Sequence, residues 1–431
     1  MKRVDRGRLR WPVALVAAVV VAEAAVFLFR PRSGVIDPAP VSVRSYFSEA
    51  ELDRARDFRL PQLALYGAGL AVEAGLLAWL VTRPPRRLEA ALRGPHRRPL
   101  LAAAAAGAAL SVGLSLATLP IGAISRQRAL DVGLSTQSWG GWALDRVRGE
   151  AIGAAMGAVG GLVLVALMRR FPRHWWAPAS AGVVLAGAVL IYAGPIVLDP
   201  IFNRFTPLER GQTRADVLEL AREAGVDVGE VYEVDASKRT TAANAYVAGL
   251  GHTKRVVLYD TLLENFSREE IRLVVAHELG HQHYDDLRNG LIYLAIVAPF
   301  GMYAVQRLSQ ALGPKGLPKA TAAVLPAVAL SVGIVQFALT TVSNQLSRRV
   351  EARADTYSLR LTDAPEPFIS FERRIAVRNI SMPDPPALQA FLLGTHPPTI
   401  ERIGAGVAFS RSATGGRGAV PGRPSRTPGG S

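Results

Sequence analysis

Residues 273–305 read "LVVAHELGHQHYDDLRNGLIYLAIVAPFGMYAV". The first half holds three histidines, a glutamate and two aspartates; the second half, from Asn289 to Val305, carries no charge at all. Side chains able to do chemistry therefore stand at the mouth of a lipid-soluble segment. Just upstream, "SREEIRLVVA" opens with Ser267 and, three residues on, Glu270. That pattern is a capping box, and it predicts a helix running through the histidines.

On a helix, His277 and His281 lie four residues apart, about 40° round the axis, so both imidazoles reach one point. Zinc takes two neutral imidazoles and a carboxylate, and keeps a fourth position for water. Glu278, next to the first histidine, falls beside that water rather than on the metal. Metal-assisted peptide hydrolysis needs its general base there. His283, six residues beyond His277, points to the far side. Incidental histidines on a solvated helix are the plainer reading of such a pattern. The apolar run leading into the motif argues against it, because a buried glutamate and two histidines without metal or partners are costly.

The third ligand has two candidates. Asp285 is local, four residues after His281, but reaches the metal only if the helix bends. Glu351, in "SRRVEARADTYSL", is the better one, since it follows a second apolar excursion that returns the chain to the same face. Asp355, one turn later, suits a carboxylate that orients a ligating histidine through its distal N–H. Asp285 and Asp286 then read as the polar end of the helix at the membrane boundary.

The 431-residue chain is 49% hydrophobic and carries a formal charge of +15. Its basic residues sit in short clusters between apolar runs, which is a topology signal rather than a groove for phosphates. Nucleic acid is therefore not an expected partner; the lipid bilayer is. There is no cysteine, which excludes disulfides, thiolate ligands and thiol nucleophiles. Any metal is held by nitrogen and oxygen.

A spanning helix needs roughly 20 mostly apolar residues. About seven segments qualify: Trp11 to Phe29, Leu60 to Val81, Pro99 to Ile124, Ala151 to Met168, Trp175 to Leu198, Asn289 to Val305 and Ala320 to Val342. The first resembles a signal peptide, with "AEA" near its end, but its length and the acid Glu23 favour a retained helix. Glu23 and Glu73, inside apolar spans, should face an interior or an interface. The expected fold is mainly α: a polytopic helical membrane protein with a small α+β zincin-like domain. It divides into a five-helix membrane region (1–198), the first catalytic part (199–288), two more spans (289–342), the second catalytic part (343–408) and a disordered tail (409–431).

The polar stretch reads as mixed α and β. "RADVLELAREAGV" is an amphipathic helix and "VGEVYEVDASK" has strand character. "NAYVAGL" and "TKRVVLYDTLL" suggest a hairpin turned at "GHT". The amino-terminal tail and the loops "RPPRRLEAALRGPHRR", "RRFPRH" and "GPKGLPK" are strongly basic, whereas loops 30–59 and 125–150 mix both signs. Positive-inside reasoning puts the amino terminus in the cytoplasm and the catalytic domain outside a cell membrane.

Six segments, "DPIFNRFTPLERG", "VDASKRTTAANAYVAGLG", "KRVVLYDTLL", "VVAHELGH", "SRRVEARADTYSLRL" and "GTHPPTIERI", follow the order seen in type I CAAX prenyl endopeptidases. The chain resembles a bacterial member of that family of integral-membrane gluzincin proteases. The likeness is dense over 199–288 and 343–403, and rests on hydropathy and span count before that. It implies one zinc ion on His277, His281 and Glu351, with Glu278 activating water. Asp355 matches an acid often written as a proton donor, and His396 a histidine that stabilises the oxyanion. The resemblance further implies that Arg402 supports the His396 loop, and that Asn244 and the strand Ala245, Tyr246 and Val247 take an extended peptide by β-addition. The expected activity is zinc-dependent endopeptidase action on a peptide or membrane-protein substrate, prenylation being no requirement in a bacterium. The alternative is a silent membrane scaffold or sensor that retains the protease fold. Oligomeric state is not legible.

Overall fold

The computed structural model describes residues 10–93, 98–249, 254–313 and 320–416. The basic amino-terminal tail, the "GHT" turn, most of the "GPKGLPK" loop and the chain after 416 lie outside the described residues.

The membrane region opens with α1 (Arg10–Phe29), α2 (Glu49–Thr82), the short α3 (Arg86–Arg93), α4 (Pro99–Asp131), α5 (Trp139–Arg170), α6 (Trp176–Val197) and the single turn α7 (Asp199–Phe202). The catalytic domain follows as β1 (Phe205–Pro207), α8 (Gln212–Glu223), β2 (Glu230–Val234), β3 (Ala245–Ala248), β4 (Arg255–Tyr259), α9 (Asp260–Asn265) and α10 (Arg268–His283). The chain then re-enters the membrane as α11 (Asp286–Leu312) and returns as α12 (Leu325–Thr362), before α13 (Pro365–Arg378), α14 (Ala387–Leu393) and α15 (Thr399–Gly416). Helix α15 runs through residues 409–416, where a disordered tail was expected.

Among the described residues, seven helices are long and apolar enough to cross a membrane: α1, α2, α4, α5, α6 with α7, α11 and α12. They coincide with the seven apolar segments, but several overrun them because polar turns continue the same helix into water. Helix α12 is the extreme case. At 38 residues and 1.5 Å per residue it is about 57 Å long, roughly twice what the hydrocarbon core requires. Its second half is therefore part of the catalytic domain.

Odd-numbered crossings must all deliver the chain to one face, and the contacts agree. The loop after α1 lies across the catalytic domain, with Ile36 N–H donating to Thr356 Oγ1 at 3.0 Å and Ala39 N–H to Gly404 O at 3.0 Å. The loop after α4 bridges to the segment before β3, where Thr136 N–H donates to Arg239 O and Thr241 N–H to Leu134 O, both at 3.1 Å.

The sheet order is β1-β2-β4-β3, with β2 and β4 parallel and the outer pairs antiparallel. The β3–β4 pair is the expected hairpin pairing. Leu220, Val231, Leu258, Val275 and Leu279 are fully buried between the sheet and helices α8 and α10. This core fixes the helix that carries the histidines.

Within the membrane region α4 and α5 touch along small residues. A Cβ placed on Gly107 would lie 2.1 Å from Gly157 O, and one on Gly161 would lie 2.5 Å from Ala103 O. With no hydrophobic drive between helices in lipid, such backbone approach is what van der Waals packing requires. Gly107→Ala should therefore lower stability by about 1–3 kcal/mol. Gly113→Ala, on the same helix with nothing within 4 Å, should not; thermal unfolding in detergent micelles compares the two.

Candidate metal centre and active site

Helix α10 has two faces. Ile271, Val275 and Leu279, at four-residue spacing, sink into the domain core, so His277, Glu278 and His281 turn toward α12. Gly280 permits the approach: a Cβ there would stand 3.2 Å from Tyr357 Cδ1 and 3.4 Å from Ala354 Cα. Ala354 is fully buried on the facing side. The two helices can thus lie close enough for a short acid on α12 to meet two imidazoles on α10.

That acid is Glu351. His277 Nε2 lies 3.2 Å from Glu351 Oε2 and 3.2 Å from His281 Nε2, and His281 Nε2 is 3.7 Å from Glu351 Oε1. Among the described residues these three form the one group placed to hold a metal ion. A tetrahedral ion with ligand bonds of about 2.1 Å has ligand-to-ligand edges of about 3.4 Å. The donor set and its separations therefore fit a zinc-type ion.

The outer nitrogens are also engaged. His277 Nδ1 meets Asp355 Oδ1 at 2.8 Å, and His281 Nδ1 meets Asp286 Oδ2 at 2.9 Å. Each carboxylate leaves the Nε2 of its histidine free for a metal. Both acids are in turn held by arginine, Asp355 by Arg402 (Nε to Oδ2 2.8 Å) and Asp286 by Arg353. Arg402 also pairs with Glu372 Oε2 at 2.9 Å. Asp355 and Glu372 are deeply buried and Arg402 is partly buried between them, so removing the arginine leaves buried carboxylates uncompensated, at a cost of about 3–5 kcal/mol.

Two expectations shift here, those for Asp286 and Arg402, while Asp285 is no ligand, in keeping with the preference for Glu351. Asp285 turns away from the centre and pairs with Arg288 at 2.8 Å. It adopts a left-handed conformation, φ 53°, which aspartate tolerates better than most residues. That reversal starts α11 and swings Asp286 back to His281. Asp286 is thus more than the polar end of a helix, and its role was not legible, because a reach of five residues needs the break between them. Arg402 grips Asp355 and Glu372, where support of the His396 loop was expected. Glu372, for which there was no expectation, carries no sequence signal of its own; it sits mid-helix in "SFERR".

Glu278 accepts no hydrogen bond from any described residue. Burial raises its carboxyl above the usual range, against the pull of His277 and His281. His396 stands half-exposed beside the centre, its Nε2 3.3 Å from Glu351 Oε2. His283 faces Ala224 O and the Tyr357 ring, away from the metal ligands, as its spacing predicts.

Strand β3 is the sheet edge next to this group. Tyr259 N–H donates to Asn244 O at 3.1 Å, so by alternation residue 246 also turns its backbone toward β4. The N–H and C=O of Ala245 and Val247 then face outward, available to another strand. The edge closes toward its amino-terminal end, where Ala243 N–H donates to Asn379 Oδ1 at 3.2 Å and Thr241 N–H to Leu134 O. Tyr246 is anchored through its hydroxyl to Asp199 Oδ2 at 2.9 Å.

Two family models match the chain. One, described as CAAX prenyl protease N-terminal, five membrane helices, covers residues 36–204; the other, peptidase family M48, covers 207–406. The Bacillus subtilis "Uncharacterized metalloprotease YhfN" is 35% identical over 305 residues, 68% of this chain and 70% of the relative. "CAAX prenyl protease 1" of Saccharomyces cerevisiae is 34% identical over 155 residues, 35% of this chain and 34% of its own length. The crystal structure of S. mikatae Ste24p superposes with a TM-score of 0.74 at 19% identity, over 93% of this chain and 99% of that one.

Two outcomes are expected from the centre. Asp286→Asn should weaken metal affinity about 10–100-fold, with the fold intact; chelator competition on purified protein measures it. The second concerns protons. Burial pushes the His277 imidazole down, but the Asp355 and Glu351 carboxylates outweigh it and lift it to about 10 in the metal-free protein. Below that pH a metal must displace a proton, so affinity should rise about tenfold per pH unit from pH 6 to 9. A flat profile in the same competition would contradict the wiring of His277.

Proposed function

This chain belongs to peptidase family M48, and on that premise we propose that it is a membrane-embedded zinc-dependent endopeptidase that cleaves extended peptides near the bilayer surface. The convergence of His277, His281 and Glu351 beside an uncommitted, buried Glu278 is the observation that supports this most strongly.

His277, His281 and Glu351 would hold a zinc ion, which would supply Lewis-acid polarisation of the scissile carbonyl and acidify a water. The protein's own groups do the rest. Glu278 takes a proton from the attacking water; its raised carboxyl holds that proton and then delivers it to the departing amine nitrogen. His396, on a loop that points past Glu351, donates a hydrogen bond to the carbonyl oxygen as it gains charge. Asp355 and Asp286 keep His277 and His281 in the tautomer that presents Nε2, and Arg402 keeps Asp355 ionised. Asp355 is fully engaged by His277 and Arg402, which favours this orienting role over proton donation.

The outward backbone groups of Ala245 and Val247 bind the substrate as an added strand. Laid antiparallel, its carboxyl-terminal side runs toward Asn379 and Leu134, where the edge is already occupied. The relatives' printed names concern CAAX prenyl proteases; for this chain a peptide without a prenyl group is the proposed substrate. The amino terminus lies in the cytoplasm and the catalytic domain outside, as the basic loops indicate. A topology reporter fused after residue 343 tests that assignment, and a cytoplasmic signal overturns it.

Glu278→Gln should retain metal and fold yet lower peptide hydrolysis at least about 10²–10⁴-fold. Turnover by purified enzyme on a quenched fluorescent peptide decides it. Chelator-insensitive wild type with no turnover of any peptide would instead favour a silent scaffold.

A further inference from the structure

We propose that Arg30, Arg32 and Arg349 bind the phosphate of an anionic membrane lipid, on the face of the bilayer that carries the catalytic domain. The three guanidinium side chains and Pro31 line a recess of about 290 Å³. Among the described residues, none of the three has a carboxylate within ion-pairing distance. Their neighbours on this face are matched: Arg353 to Asp286, Arg373 to Glu51, Arg374 to Glu270, Arg402 to Asp355. Arg348 is used up on the carbonyls of Ala390 and Gly394. Three like charges around one recess repel, and an anion between them removes the penalty.

The level in the membrane indicates which anion. Val26 of α1 packs with Val297 and Val342 at the end of the apolar stretch, and Arg30 follows one turn on. Phe27 is 56% exposed, with the guanidinium groups of Arg30 and Arg32 over its ring at 4.6 Å and 5.1 Å. Arginines one turn beyond the apolar end of a span reach the headgroup layer, their stems on apolar surface and their charges in the polar region. A larger recess of about 720 Å³ shares Arg30 and Arg349 and is walled by Val26, Val35, Ile36 and Ile400. It offers apolar surface beside the phosphate position, which a lipid uses and a free phosphate does not. Asp37, Asp355 and Glu401 line that larger recess but not the smaller one, and Glu401 feels the charge of Arg349 without forming an ion pair with it. Basic pockets between spans recognise anionic headgroups by the same chemistry.

The test uses full-length protein in detergent micelles, titrated with phosphatidylglycerol, phosphatidylcholine or inorganic phosphate. Bound lipid is counted by native mass spectrometry, and the melting temperature is followed alongside. Each arginine near an anionic surface contributes about fivefold, so phosphatidylglycerol should bind about a hundredfold more strongly than phosphatidylcholine. Arg30→Gln with Arg32→Gln should cut that preference about twentyfivefold, and Arg349→Gln about fivefold. Arg222→Gln, exposed on α8 outside the spans, should leave it unchanged. The double variant stands clear of the metal ligands, and the wild-type lipid preference decides the matter even where a variant fails to fold. Equal binding of both lipids, or an undiminished preference in the double variant, overturns the proposal. Inorganic phosphate binding as tightly as phosphatidylglycerol assigns the recess to a soluble anion. Slower cleavage of a free-acid peptide but not of its amide, with lipid binding unaltered, assigns it to the substrate's terminal carboxylate.

Discussion

The centre exists because α10 and α12 can touch. Two imidazoles on one helix supply only part of a metal site, and the missing carboxylate is more than seventy residues away across two membrane crossings. Gly280 against Tyr357 and Ala354 brings the helix axes close enough that Glu351, with a short side chain, meets both Nε2 atoms. A wider separation would leave the three donors pointing at one another across solvent. The buried hydrophobic face of α10 and the length of α12 both serve this contact.

Charge balance follows from that approach. Two histidines and a glutamate gathered in a half-buried site need partners, and these extend outward in two branches. One runs from His277 through Asp355 and Arg402 to Glu372; the other from His281 through Asp286 to Arg353. Each branch ends on a different helix, so the catalytic helix is tied to α11, α12, α13 and α15 by groups that also set its protonation. Glu278 stands outside both branches. That isolation leaves its carboxyl able to gain and lose a proton, which Glu351 and Asp355, held below the usual carboxylate range by their partners, cannot do cheaply.

The membrane acts as an assembly constraint. Odd crossings return the chain to one face, so the loops after α1 and α4 pack on a catalytic domain that is itself split by α11 and α12. Leu134 and Thr136 pair with the segment leading into β3, and the loop after α1 hydrogen-bonds Thr356 and Gly404. The five-helix region therefore shapes one end of the open β3 edge as well as anchoring the protein in the membrane.

Much was legible before any coordinates. Helical spacing placed His277, Glu278 and His281 on one face, hydropathy located all seven spans, and crossing parity put Glu351 on the same side as the histidines. These are properties of short windows or of simple counting along the chain. Asp286, Glu372, the closure of the β3 edge by Asn379, and the grouping of Arg30, Arg32 and Arg349 were not. A left-handed residue at Asp285 decides the first, and contacts between segments over a hundred residues apart decide the others, Glu372 apart, which meets Arg402 thirty residues on. Periodicity and lipid solubility are local and survive in one dimension. Which buried charge meets which depends on the packing of helices that no single stretch of sequence contains.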